Sequence, residues 1–148
     1  MEESLDIFGI IRDTLDISDV DADTYSPLTL AYIGDAIYDI VIRTMVVAKS
    51  NMQVNKLHKK SSGLVNAGTQ ADIIKYLMDN DELTDKEISV YKRGRNAKSF
   101  TKAKNATVID YRMATGFEAL MGYLYLKGES GRMLGLIKNA LDNIEGRK

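Results

Sequence analysis

At 148 residues, 45% hydrophobic and 28% charged, the chain has the length and composition of one ordinary globular domain. With no cysteine and one histidine, it excludes disulfides, thiolate metal sites, His-rich zinc sites and any two-histidine catalytic arrangement. Oxygen-ligated Mg²⁺ or Mn²⁺ stays open. The acidic N-terminal stretch lacks a signal-peptide pattern and no apolar run approaches a membrane span, so a cytoplasmic location is expected.

The net charge of −1 conceals a segregation along the chain. Residues 1–35 carry nine acids and one base, whereas residues 86–112 carry eight bases and two acids. A basic cluster supplies phosphate contacts even in a near-neutral protein. A solvated helix–loop surface is the alternative reading on charge alone.

One proline and no sustained apolar/polar alternation predict an all-α domain without internal repeats or a domain-separating linker. Ser26-Pro27 starts a long helix, with Ser as cap and Pro at the first helical position. Leu28, Ala31, Ile33, Ile37, Ile40, Val41 and Val47 predict that this helix is largely buried. A more exposed helix is expected over 51–60 and a third over 61–78, the latter on Leu64, Val65, Ala67, Ala71, Ile74, Leu77 and Met78. Thr84-Asp-Lys-Glu87 has the form of a capping box and opens a helix to about Arg93. The basic, Gly- and Asn-containing stretch 93–105 reads as an exposed loop. A long apolar helix follows from Thr107 to Leu126, ended by Gly128, and an amphipathic helix runs from about Gly131 to Asn143.

Two carboxylates interrupt the long apolar helices. Asp35 lies in Leu30-Ala-Tyr-Ile-Gly-Asp-Ala-Ile-Tyr38 and Glu118 in Ala114-Thr-Gly-Phe-Glu-Ala-Leu-Met-Gly122. Both stretches read as packed helix faces, where a lone carboxylate costs several kcal/mol, roughly, unless paired. The residues alone leave three accounts open: a carboxyl held neutral, a buried ion pair with Arg43 or Arg112 as partner, or a metal ion. Asp39, one turn after Asp35, reads as an exposed acid or an outer ligand. His58 reads as a structural histidine or, second, an RNA contact. Tyr32, Tyr38, Tyr123 and Tyr125 read as core and subunit-contact residues.

The two strings resemble the two acidic helices of ribonuclease III, "E-x-x-E-[FY]-[LI]-G-D-[AS]" and "D-x-x-E-A-[LI]-[IM]-G-[AG]-[LI]-[YF]-L". With Arg-Gly-Arg-Asn-Ala-Lys-Ser over 93–99 and Tyr111-Arg-Met-Ala-Thr-Gly-Phe-Glu118, the chain resembles the Mini-ribonuclease III branch, the stand-alone catalytic domain. The resemblance covers about Tyr25 to Leu141 and implies a single catalytic domain over 1–148, without a double-stranded-RNA-binding domain. It implies that Asp35 and Glu118 are the catalytic, metal-binding carboxylates. Ala31 and Thr115 stand where the full-length enzyme carries further acids, so the ligand set is sparse.

The implied activity is metal-dependent hydrolysis of double-stranded RNA with Mg²⁺, or Mn²⁺ in its place. The implied substrate is the 23S ribosomal RNA precursor, cut by a homodimer whose paired sites each cleave one strand. A ribosomal protein is a further expected partner. Candidate RNA contacts are Lys92, Arg93, Arg95, Lys98, Lys102 and Lys104 for phosphates, with Asn96 and Ser99 for 2′-hydroxyls. The alternative is a non-catalytic ribonuclease-III-like RNA-binding or ribosome-associated module, for which the missing acids would speak.

Overall fold

The computed structural model describes residues 6–98 and 107–145. Seven α-helices run through them: α1 (Ile7–Thr14), α2 (Pro27–Lys49), α3 (Val54–Val65), α4 (Ala67–Asp79), α5 (Asp85–Asn96), α6 (Val108–Leu126) and α7 (Ser130–Glu145). No strand occurs among the described residues, and the all-α expectation holds.

The core is organised around α6. From Ala114 to Tyr125 every residue of this helix is buried except Glu118, which is half-buried. A helix apolar on all sides needs neighbours on all sides, and α2, α4, α5 and α7 supply them. Phe117, Leu120, Met121 and Leu124 pack there against Leu30, Tyr38 and Ile42 of α2, Ile73, Ile74 and Leu77 of α4, and Met133 and Ile137 of α7. Tyr38 meets Phe117 edge-on, with ring centroids 5.2 Å apart, and donates its hydroxyl to the Leu64 carbonyl at 2.7 Å. That bond fastens the end of α3 to the α2–α6 pair.

Two glycine pairs set how closely the helices approach. A Cβ at Gly34 of α2 would overlap the Glu118 carbonyl, and one at Gly122 of α6 would overlap the Leu30 carbonyl. The backbones of α2 and α6 therefore touch. Gly94 and Gly116 do the same for α5 and α6: a Cβ at Gly94 would lie 2.9 Å from the Gly116 Cα.

The capping signals act as expected. Ser26 accepts from the Thr29 amide at 3.3 Å. Thr84 and Glu87 form the reciprocal box, and Gly128, at φ +75°, ends α6. Glu87 also takes two bonds from Arg132 of α7, at 3.0 and 2.8 Å, so the start of α5 is tied to α7. Arg132 is the main cause holding the Glu87 carboxyl below its ordinary range.

Three expectations are corrected and one element is added. The break expected near residue 60 falls at Asn66, whose side chain donates to the Ser62 carbonyl at 3.0 Å and accepts from the Thr69 amide at 2.8 Å. One asparagine thus caps the end of one helix and the start of the next. Next, α5 continues to Asn96, so Arg93, Arg95 and Asn96 are helical rather than in a loop. Third, α2 is not buried on all its apolar positions: Leu28, Ile40 and Val47 are exposed, and Tyr32 is 81% exposed. Lastly, a helix forms before Ser26. Asp6 caps α1, and Phe8 reaches the core edge-on to Tyr125 at 5.7 Å. Asp23 staples this N-terminal segment down, accepting from Tyr123 at 3.0 Å and pairing with Lys86 at 2.7 Å.

The glycines separate by their surroundings. Gly34→Ala is expected to destabilise by about 3 kcal/mol or more, because the helix backbones must part. Gly135→Ala, in α7 with nothing within 4 Å of its Cβ direction, is expected to stabilise by roughly 0.5–1 kcal/mol. Urea unfolding of both variants checks the pair of signs.

Candidate active site

Gly34 and Gly122 bring the start of α2 against the middle of α6, and the residue after Gly34 is Asp35. The crossing therefore sets Asp35 beside Glu118, and their carboxyl groups lie within hydrogen-bonding reach of one another. The expectation that both sit in packed faces is half corrected. Asp35 is exposed and Glu118 half-buried, since α2 leaves one apolar side uncovered and Asp35 borders it. Glu118 opens onto a cleft of about 720 Å³ walled by Ser62 and Val65 of α3, Asn66 to Gly68 and Gln70 at the start of α4, and Asp110, Tyr111, Ala114 and Thr115 of α6.

The electrostatics of this pair are unbalanced. Burial first, and repulsion from Asp35 second, push the Glu118 carboxyl up from its ordinary 4.5 to about 8. The buried ion pair entertained from sequence does not form: Arg43 bonds Asp39 instead, at 3.0 Å across one helical turn. Among the described residues, neither Asp35 nor Glu118 is ion-paired with a lysine or arginine. Two adjoining carboxylates at a cleft, without a protein cation, form a donor set suited to a hard divalent ion. Such an ion takes a few carboxylate oxygens and completes its shell with water and phosphate oxygens. Among the described residues no group of three Asp, Glu or His side chains could hold a metal by itself, so the protein's share of the shell is sparse.

Neither position where a further acid is missing adds a carboxylate to the cleft. Ala31 is buried, 7% exposed. Thr115 turns its hydroxyl back to the Tyr111 carbonyl of its own helix at 3.0 Å. The sequence reading missed Asp110, a second carboxylate on the wall of the cleft beside Glu118. Its signal was available: it stands eight residues, a little over two turns, before Glu118 on one helix. Gln70, a buried amide in the apolar run of α4, was also missed.

The basic candidates lie on another surface. Lys92, Arg93 and Asn96 line a shallow groove of about 710 Å³ between α5 and Pro27 at the start of α2. Arg95 is partly buried and stacks over Tyr91 at 5.6 Å, bonding Asn96 at 3.2 Å, so its place in the fold is structural. Lys98 is exposed beyond the end of α5. Ser99, Lys102 and Lys104 lie outside the described residues. His58 is exposed and lines a small apolar pocket with Arg43 and Leu57. Asp39 is a half-exposed ion-pair member.

Comparison with known proteins agrees with this arrangement. Residues 28–129 match the ribonuclease III domain, a span that contains the α2–α6 crossing and both carboxylates. A Mini-ribonuclease 3 of Clostridium tetani is 50% identical over 121 residues, 81% of this chain and 79% of that protein. One from a Thermoanaerobacter species is 43% identical over 145 residues, covering 98% of this chain and 99% of its own length. A solved structure from Fusobacterium nucleatum superposes with a TM-score of 0.72 at 30% identity, covering 81% of this chain and 94% of that one. A crossing of two glycine-bearing helices that pairs Asp35 with Glu118, within a matched domain and alongside relatives this similar, leaves one conclusion: the chain belongs to the ribonuclease III family, in its Mini-ribonuclease 3 branch.

Proposed function

We propose that this double-strand-specific endoribonuclease works with Mg²⁺, or Mn²⁺ in its place, held by Asp35 and Glu118. We further propose that it matures the 23S ribosomal RNA precursor in the cytoplasm as a homodimer. The observation that carries the reading is the juxtaposition of Asp35 with Glu118 on the wall of the cleft, neither of them ion-paired with a lysine or arginine among the described residues. Bound there, a divalent cation supplies a more acidic water and neutralises charge on the phosphoryl and leaving oxygens.

The chain's own residues divide the remaining tasks. Glu118 is fixed by a buried helix, so its carboxylate is held in place before RNA arrives. Asp35 stands on the solvent side, where a duplex backbone can reach it. Lys92 and Arg93 offer mobile cations to phosphates and Asn96 an amide to a 2′-hydroxyl, the contacts through which A-form RNA is read. Lys98 extends the same proposed surface, and Ser99, Lys102 and Lys104 are proposed as further RNA contacts on their sequence alone. Leu28, Tyr32, Ile40 and Val47 leave an exposed apolar stripe on α2, which suits an isologous contact with a second copy. A two-fold axis there presents one site to each strand. A ribosomal protein is proposed as a further partner in keeping with an rRNA substrate.

The primary test is cleavage of a long RNA duplex with Mg²⁺ and with EDTA. Metal-dependent cuts are expected, with no action on single strands. Asp35→Asn and Glu118→Gln are each expected to lower cleavage by at least about a hundredfold, a loss of some 2.7 kcal/mol of transition-state stabilisation, while duplex binding is retained. Normal cleavage by either variant would remove that residue from the site.

The raised Glu118 value carries a pH consequence with a definite sign. The folded state favours the protonated carboxyl, so its contribution to stability is complete below pH 4.5 and fades as pH rises through about 8. In metal-free protein, Glu118→Gln should flatten the fall of melting temperature across that window. Equal slopes for the variant and the parent would count against the buried, repelled carboxylate.

Replacing Lys92 and Arg93 together by alanine should weaken duplex binding and reduce the slope of log K against log salt by roughly two, about 0.9 for each phosphate no longer neutralised. An unchanged slope moves the RNA elsewhere. Tyr32→Glu should turn the dimer into monomers in sedimentation analysis; a persisting dimer would place the interface off α2.

A further inference from the structure

Gln70 is 2% exposed, yet it carries an amide into a core built mostly of aliphatic and aromatic side chains. Its backbone is committed to α4, with its N–H bonded to the Asn66 carbonyl at 3.1 Å. The side chain turns back and donates Nε2 to the Val65 carbonyl at 2.8 Å. That bond fixes which way round the amide lies, because the reverse placement would set Oε1 against a carbonyl oxygen, acceptor on acceptor. Oε1 is then left buried without any partner, at a cost of roughly 1–3 kcal/mol. A methionine of the same length would fill this space without that orphan, giving up only the bond to the Val65 carbonyl.

The other side of the amide explains why a glutamine stands here. Gln70 borders the same cleft as Glu118. The two side chains lie close enough to interact across that cleft. Nε2 carries two hydrogens: one is held by Val65, and the second is available to Glu118. From its anchor on the last residue of α3, the amide thus faces the cleft onto which the one carboxylate in the buried run of α6 opens.

We propose that Gln70 is a positioning residue: anchored on the Val65 carbonyl, its amide orients the Glu118 carboxylate toward Asp35, and it touches neither cation nor RNA. The inference rests on Glu118 as a cation ligand. A purely structural Gln70 would only tie α3 to α4, and the two roles separate experimentally.

Gln70→Met keeps the length and apolar volume and removes the amide. Its melting temperature should stay close to that of the parent, since the orphan acceptor goes together with the bond to the Val65 carbonyl. Mn²⁺ affinity of the RNA-free protein, read by calorimetry, should fall about tenfold, and kcat on duplex RNA should fall at least as far with KM unchanged. In a Glu118→Gln background the same change should cost no further Mn²⁺ affinity, because Gln70 acts through Glu118. Parent-like Mn²⁺ affinity and kcat in Gln70→Met, or a kcat loss that merely follows a lowered melting temperature, overturns the inference and leaves the cation reading standing. Parent protein whose Mn²⁺ affinity is untouched by Glu118→Gln overturns the cation reading and this inference with it. Should Gln70→Met not fold, Gln70→Asn, which keeps an amide too short to span both partners, takes its place with the same expected and overturning results.

Discussion

Backbone contact between α2 and α6 is the constraint on which the rest depends. Gly34 and Gly122 interlock so that each faces a carbonyl of the other helix, and no other residue type leaves room for that approach. The spacing of the two helices fixes the spacing of their side chains. With Asp35 directly after Gly34 and Glu118 one turn before Gly122, the same contact that packs the core also pairs the carboxylates. Architecture and chemistry share two residues.

That sharing has an energetic cost that the fold absorbs elsewhere. Glu118 is the one charged interruption in a twelve-residue stretch of α6 that is otherwise buried, and Asp35 adds like charge beside it. Such a site is poorly stable by itself and well suited to gaining a cation. Around it, α6 is held by aromatic packing from Tyr38, by Gly94 and Gly116 against α5, and through α5 by the Glu87–Arg132 tie to α7. The N-terminal segment adds to this frame. Its acids are not idle charge: Asp23 gathers Lys86, Lys127 and Tyr123, and Asp6 caps α1. Segregated charge along the chain thus becomes local pairing in space.

The basic surface and the acidic cleft are different places. Lys92, Arg93 and Asn96 line a groove at the start of α2, while Glu118 opens on the side of α3 and α4. A duplex is long, so a proposed cutting site and proposed backbone contacts that lie apart are compatible with a single substrate. Exposed Asp35 lies near the apolar stripe of α2, so a second copy seated on that stripe would border the acidic pair.

Much of this was legible in the residues. Periodicity and capping chemistry are local, so Ser26-Pro27, the Thr84–Glu87 box and Gly128 marked helix ends that the structure keeps. Two acids in apolar helices, with glycines close by, marked the candidate site before any geometry was known. Asn66 was missed because one asparagine serving two helix ends leaves no gap in the apolar pattern. Residues 93–96 were read as loop because their composition is loop-like, whereas the packing of Gly94 on Gly116 holds them helical. Burial was overestimated on α2, since an apolar stripe looks the same in sequence whether it meets its own core or faces outward. Which carboxylate is exposed, which arginine goes to Asp39 rather than Asp35, and where Asp110 and Gln70 converge were decided only by the tertiary structure. Those outcomes depend on distances between residues far apart in the chain, and a helix-crossing geometry is a property of two surfaces that no single segment encodes.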